Sequence, residues 1–64
     1  MRNELIEARG AKTQTEAAAE IGISQKYLSK LELEQRTPSL KIAKKISSYY
    51  NRSVESLFPD IFLP

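Results

Sequence analysis

Apolar residues recur along this chain at intervals of three and four, with polar residues filling the positions between them, which is the signature of amphipathic helices. Leu5 and Ala8, with Met1 and Ile6 flanking, predict a first helix over residues 2–9 that ends at Gly10. Ala17, Ala18 and Ile21 mark one face of a second helix and leave Thr15, Glu16 and Glu20 on the wet side. Leu28 and Leu31 point inward from a third, with Ile23 plugging the turn before it. Leu40, Ala43, Ile46, Ser47 and Tyr50 form the inward stripe of a fourth, and Val54, Leu57 and Phe58 close the core as a short fifth before Pro59. No stretch alternates with period two, so no strand is expected. The pattern predicts an all-α, compact five-helix domain over residues 1–58, followed by a short apolar C-terminal tail over residues 59–64.

The residues between the stripes set the helix ends. Thr13 with Glu16 three positions on is a capping box, so the second helix starts at Gln14. Gly22 stands where the chain leaves that helix with positive φ, and Ser24 is a good N-cap for the next. Pro38 disfavours helix at the residue before it, making Glu34 to Pro38 a loop, after which Thr37 or Ser39 can cap the fourth helix. Ser53 caps the fifth. Two short helices joined by a tight turn at Gly22 have the layout of a helix-turn-helix, whose steep crossing lets one helix project while the other braces it. The projecting helix exposes Gln25, Lys26, Ser29 and Lys30. Amides and cations are the groups that hydrogen-bond to base edges and phosphates in a DNA groove.

Composition narrows the alternatives. With no cysteine and no histidine among 64 residues, disulfide staples, thiolate zinc sites and imidazole chemistry are excluded, and stability must come from packing. The net charge is only +2, but residues 24–52 carry Lys26, Lys30, Arg36, Lys41, Lys44, Lys45 and Arg52 against Glu32 and Glu34. Phosphate affinity follows local cation density, so this surplus outweighs the total. Lys44 and Lys45 read more simply as the solvated side of a helix. The carboxylate pairs Glu4/Glu7 and Glu16/Glu20 share helix faces but lack a third ligand, so they read as solvated charge; no metal and no cofactor are expected. No nucleophile–base pair or phosphate loop is present, so the chain is not expected to be an enzyme. The apolar runs fall far short of the roughly 20 residues that span a bilayer. With no basic-then-apolar leader either, a cytoplasmic protein without membrane or small-molecule partners is expected.

Thr13-Gln14, Ala18, Gly22, Ile23-Ser24, Tyr27 to Glu32, Pro38-Ser39-Leu40 and Ser53 to Phe58 fall at the spacing of the lambda-repressor-like helix-turn-helix family (Cro/cI, Xre type). The chain resembles that family over nearly its whole length. The resemblance implies a five-helix fold that binds double-stranded operator DNA, commonly as a homodimer on a two-fold-symmetric site, with the third helix in the major groove. It implies base contacts by Gln25, Lys26, Ser29 and Lys30, and backbone contacts by Gln14, Tyr27, Arg36, Thr37, Ser39 and Lys41. It also implies an ion pair between Arg9 and Glu32 that ties the first helix to the third.

This chain departs from the family pattern in ways that carry their own expectations. Ala17 replaces a leucine and Tyr50 an aliphatic residue, so the larger ring is expected to fill the lost volume. Glu34 replaces a glycine just past the third helix, which requires either a strained positive φ or a longer helix. Ile42 and Tyr49, off the main stripe of the fourth helix, form one candidate patch with Ile61, Phe62 and Leu63 of the tail. Either the chain's own tail folds over it or a two-fold mate meets it; the dimer contact is favoured, because one module reaches few bases. The alternative function is a protein-interaction module of the same fold, an antitoxin or anti-repressor partner, which would bind with little salt dependence.

Overall fold

Six helices organise residues 1–62, which the computed structural model describes: α1 (Asn3–Arg9), α2 (Gln14–Ile21), α3 (Gln25–Glu32), α4 (Leu40–Tyr50), α5 (Val54–Leu57) and α6 (Pro59–Phe62). Four of them begin on hydroxyl caps that local chemistry predicts. Thr13, Ser24, Ser39 and Ser53 each sit in extended backbone and accept a hydrogen bond from the backbone N–H three residues on. Thr13 and Glu16 complete the reciprocal capping box, and Gly22 ends α2 at φ +95°. The N–H groups of Gly22 and Ile23 both return to the Ala18 carbonyl, at 2.8 and 3.0 Å, and this fixes the tight turn into α3. The Lys45 ammonium lies 3.0 Å from where a Cβ on Gly22 would stand, so a side chain there would have to displace it besides accepting the positive φ.

The core has two parts. Leu5, Ile21, Leu31, Ala43, Ile46, Leu57 and Phe58 form the larger, joining α1, α3, α4 and α5 around the end of α2. Ala17, Ala18 and Leu28 form the smaller, where α2 and α3 cross. The two alanines let α2 approach α3 closely, and the gap beside them is filled by Ile23 and Tyr49. This corrects the expectation for Tyr50: its ring packs against the larger cluster, and its neighbour Tyr49 covers the Ala17 side, the two rings meeting edge-on at 4.9 Å.

Two further expectations are revised, and one alternative is decided. Leu40 is 53% exposed and lies outside the buried stripe of α4, which is formed by Ala43 and Ile46. Met1 is exposed, whereas Arg2, expected to open the first helix, is buried. Glu34 adopts the left-handed conformation at φ +62° rather than prolonging α3.

The tail contains the sixth helix. The fifth helix ends before Pro59 as expected, and the tail adds a helix of its own, since a proline fits the first position of a helix, where its missing N–H has no partner to lose. The N–H groups of Ile61 and Phe62 reach back to the Phe58 carbonyl at 3.0 Å each, and the Phe58 and Phe62 rings meet edge-on. Asp60 then joins a buried guanidinium. Arg2 donates to both Asp60 oxygens (3.0 and 2.8 Å) and to the carbonyls of Leu31 (2.6 Å) and Arg36 (2.8 Å), with its charge 5.3 Å from the centre of the Phe58 ring. One side chain thus ties the chain start, the end of α3, the following loop and α6 together.

Candidate nucleic-acid interface

The outward side of α3 is built by the same residues that bury its inward side. Leu28, Leu31 and Glu32 are buried, which leaves Gln25 and Lys26 exposed on the first turn and Ser29 and Lys30 half-buried on the next. Tyr27 is half-buried with its ring against the larger core cluster. Arg36, Thr37, Ser39 and Lys41 are exposed in the loop after α3 and at the start of α4, and the Ser39 hydroxyl oxygen caps that helix by accepting from the Ile42 N–H. The capping box occupies the N–H groups of Thr13 and Glu16, so those of Gln14 and Thr15 stay unpaired by their own helix at the N-terminus of α2, where the backbone favours an anion.

Ion pairing separates the cations into two groups. Of ten lysine and arginine side chains, Arg2, Arg9, Lys12 and Arg52 are held by Asp60, Glu32, Glu20 and Glu4 respectively. The other six, Lys26, Lys30, Arg36, Lys41, Lys44 and Lys45, take part in no ion pair among the described residues. All six fall between α3 and the middle of α4. Glu20 is paired with Lys12, and both Glu16 and Glu20 are held below the usual carboxylate range, Glu16 by its hydrogen bonds with Thr13 and Glu20 by Lys12 and then Tyr49. Arg52, counted in the basic surplus on sequence, is therefore removed from it by Glu4 at 3.0 Å.

Beneath α3 lies a continuous hydrogen-bonded chain. Arg9 donates through Nε and Nη2 to the two oxygens of Glu32 (2.8 and 3.2 Å), and its third contact reaches the Lys12 carbonyl at 2.8 Å. The expected pair between the first and third helices is therefore present, and the Glu32 hydrogen bonds hold the Arg9 guanidinium more firmly protonated. Gln14 Nε2 donates to Glu32 Oε1 at 2.8 Å, and Gln14 Oε1 accepts from Gln25 Nε2 at 2.7 Å. The side-chain amide of Gln14 is thus engaged between the ion pair and α3.

A family model described as Helix-turn-helix matches residues 5–57, which takes in α1 to α5 with the α2–turn–α3 unit at their centre. The chain belongs to the Cro/cI/Xre-type helix-turn-helix family. Comparison with curated proteins and with solved structures returns no match. The helix-turn-helix protein accordingly has the lambda-repressor-like fold and is a DNA-binding regulator, in a family of DNA-binding rather than catalytic domains. Its sixth helix lies beyond the matched region. Among the described residues it has no helix long and apolar enough to cross a membrane and no cluster of acidic residues suited to a metal.

Two features of this helix-turn-helix protein have no local signal in its sequence. The Arg2–Asp60 pair spans 58 positions and has no local signal. Lys12 bridges Glu20 (2.6 Å) and the Tyr49 hydroxyl (3.1 Å), with that hydroxyl also hydrogen-bonded to Glu20, and so pins the loop between α1 and α2 onto α4. Of the residues expected in an apolar patch, Ile42, Tyr49, Ile61 and Phe62 are half-buried against the protein's own core, and Leu63 lies outside the described residues.

Proposed function

We propose that the protein is a transcriptional repressor of the Cro/cI/Xre type that reads a two-fold-symmetric operator as a dimer, with α3 in the major groove. The observation that carries this reading is the segregation of unpaired cations onto α3, the loop after it and the first half of α4. Gln25, Lys26, Ser29 and Lys30 take the base-facing role. Gln14, Tyr27, Arg36, Thr37, Ser39 and Lys41 take the backbone role, with the α2 N-terminus supplying N–H groups to a phosphate.

Size supports two copies. The longest dimension of the molecule is 31 Å, whereas successive major-groove half-sites on one face of the duplex lie about 34 Å apart. One copy therefore covers one half-site, and two side by side match the repeat. Ile42, Tyr49, Ile61, Phe62 and Leu63 remain the candidate contacts between them.

Selection of bound sequences from a random duplex pool at about 0.15 M salt tests the reading, since non-specific binding is weak there. A two-fold-symmetric motif is expected; a lone half-site would remove the dimer, and no enrichment would remove the operator. Lys30→Ala is expected to weaken the selected site more than random duplex. Lys41→Ala is expected to weaken both alike and to flatten the salt slope by about one unit, as loss of one phosphate contact does.

A further inference from the structure

We propose that α6 strengthens DNA binding through Arg2: Asp60 orients the Arg2 guanidinium, which holds the loop after α3 by the Arg36 carbonyl so that the Arg36 side chain meets a phosphate. The proposal rests on the reading above that this loop faces the DNA backbone. It adds a positioning role for two residues, Arg2 and Asp60, that both lie outside the matched region 5–57.

The loop has little else to hold it. After α3, the N–H groups of Glu34 and Gln35 still return to the carbonyls of Leu31 (3.3 Å) and Lys30 (2.9 Å), and Ser39 then caps α4. Between them, Arg36 and Thr37 are exposed and Pro38 is buried. Among the described residues, one hydrogen bond reaches the backbone of Arg36 to Pro38, that from Arg2 Nη1 to the Arg36 carbonyl at 2.8 Å. The same nitrogen donates to the Leu31 carbonyl at 2.6 Å, in the last turn of α3, so the loop is held at a fixed distance from the end of the helix it follows. The aim of that nitrogen depends on Asp60. Its two oxygens accept from Nε (3.0 Å) and Nη2 (2.8 Å), a two-pronged contact that sets the plane of the guanidinium and so directs Nη1 at both carbonyls. Asp60 is placed in turn by α6, whose Ile61 and Phe62 pack on the core. Without the fork the planar group can rotate, Nη1 leaves Arg36, and the loop is free between Gln35 and Pro38. An arginine on a freed loop must be ordered each time it meets a phosphate, and that ordering entropy is subtracted from its affinity.

Charge and positioning make opposite predictions for Asp60→Asn. Loss of a carboxylate leaves the chain one unit more positive, which by field alone tightens binding to a polyanion; loss of the fork loosens Arg36 and weakens it. The full chain carrying Asp60→Asn is expected to bind random duplex about three- to fivefold more weakly at about 0.1 M salt, part of the roughly eightfold that one phosphate contact contributes there. Arg36→Ala is expected to lose the whole of that factor. Adding Asp60→Asn to Arg36→Ala is expected to weaken binding no further, because no side chain is left to aim. An affinity that rises or holds in Asp60→Asn while Arg36→Ala weakens binding would overturn the proposal alone. If Arg36→Ala binds as the wild type does, the backbone reading of the loop falls and the proposal with it. In the DNA-free protein, Asp60→Asn is expected to move the backbone amide resonances of Arg36 and Thr37 and to leave those of Lys26 and Ser29 in place, which a general loss of packing would not do. Unmoved loop resonances would equally overturn it. Should Asp60→Asn fail to fold, the wild-type chain decides. A fork that favours DNA binding must be favoured by DNA in equal measure, so the Arg2 Nε–H is expected to exchange about three- to fivefold more slowly with duplex bound, and an unchanged rate would overturn the proposal.

Discussion

Two guanidinium groups staple this small domain, and they are mirror cases. At Arg2 the cation is buried, its side chain 2% exposed, and its carboxylate partner Asp60 is 37% exposed. At Arg9 the cation is 20% exposed and the carboxylate, Glu32, is buried at 3%. In each pair, deleting the outer partner strands the inner charge. What differs is the support left behind. Arg2 keeps two backbone carbonyls and the face of Phe58, all suited to a cation. Glu32 keeps one side-chain amide, that of Gln14. The cost of breaking an ion pair therefore depends less on its distance, similar in the two, than on what else satisfies the buried member.

The largest effect is expected from Arg9→Ala. Leaving Glu32 buried and unpaired should cost about 3–5 kcal/mol, enough to unfold much of a domain of this size. Urea unfolding followed by circular dichroism measures it as a fall in midpoint at constant slope. A loss no greater than that of Asp60→Ala would break the comparison, because the amide of Gln14 would then support the carboxylate as well as two carbonyls support Arg2.

The two staples also differ in how far they can be read from sequence. Helix starts are local: Thr13, Ser24 and Ser53 announce themselves within three residues, and Gly22 within one turn, so the starts of α2, α3 and α5 are legible to the residue. The exposed half of α3 follows from the same pattern, since burying Leu28 and Leu31 turns Gln25 and Lys26 outward. Arg9–Glu32 was legible through resemblance. Arg2–Asp60 was not, because its members look like ordinary charged residues near two chain ends, and only the folded chain brings them together. The helix after Pro59 was illegible for a related reason: a proline can open a helix as well as follow one, and whether it does depends on whether the residues after it have a core to cover. Ile61 and Phe62 have one. Leu40 failed in the opposite sense: it is in register with the stripe of α4 but sits on the helix's first residue, and it is exposed while Ala43 and Ile46 are buried.

A smaller effect is expected from Asp60→Ala, about 1–2 kcal/mol after allowance for the solvent that screens this partly exposed carboxylate. Its pH dependence carries a sign. Arg2 holds the Asp60 carboxyl below the usual range, so its contribution is present above the unfolded value of about 3.9 and is lost as pH falls through the lower folded value. Wild-type melting temperature should therefore drop between about pH 4 and the acid limit more steeply than that of Asp60→Asn. Parallel acid limbs would mean that Arg2 is held by its carbonyls alone, which would widen the difference between the two staples.

The smallest effect tests the polar balance on the Arg9 side. The Tyr50 hydroxyl is buried with no hydrogen-bond partner among the described residues, close enough to Glu32 and Arg9 to feel both charges. Burial pushes its phenol up to about 12, so the fold favours the neutral form. Stability is then unaffected below the unfolded value of about 10 and declines as pH rises towards 12. Tyr50→Phe removes an unsatisfied polar atom and keeps the ring against the core, so it should raise stability by about 1 kcal/mol at neutral pH and remove Tyr50's part of the alkaline decline. Denaturant midpoints at pH 7 and pH 11 measure both. A loss of stability on removing the hydroxyl would show that it holds a hydrogen bond, which would give the Arg9–Glu32 staple a third support and bring its cost of rupture down towards that of Arg2–Asp60.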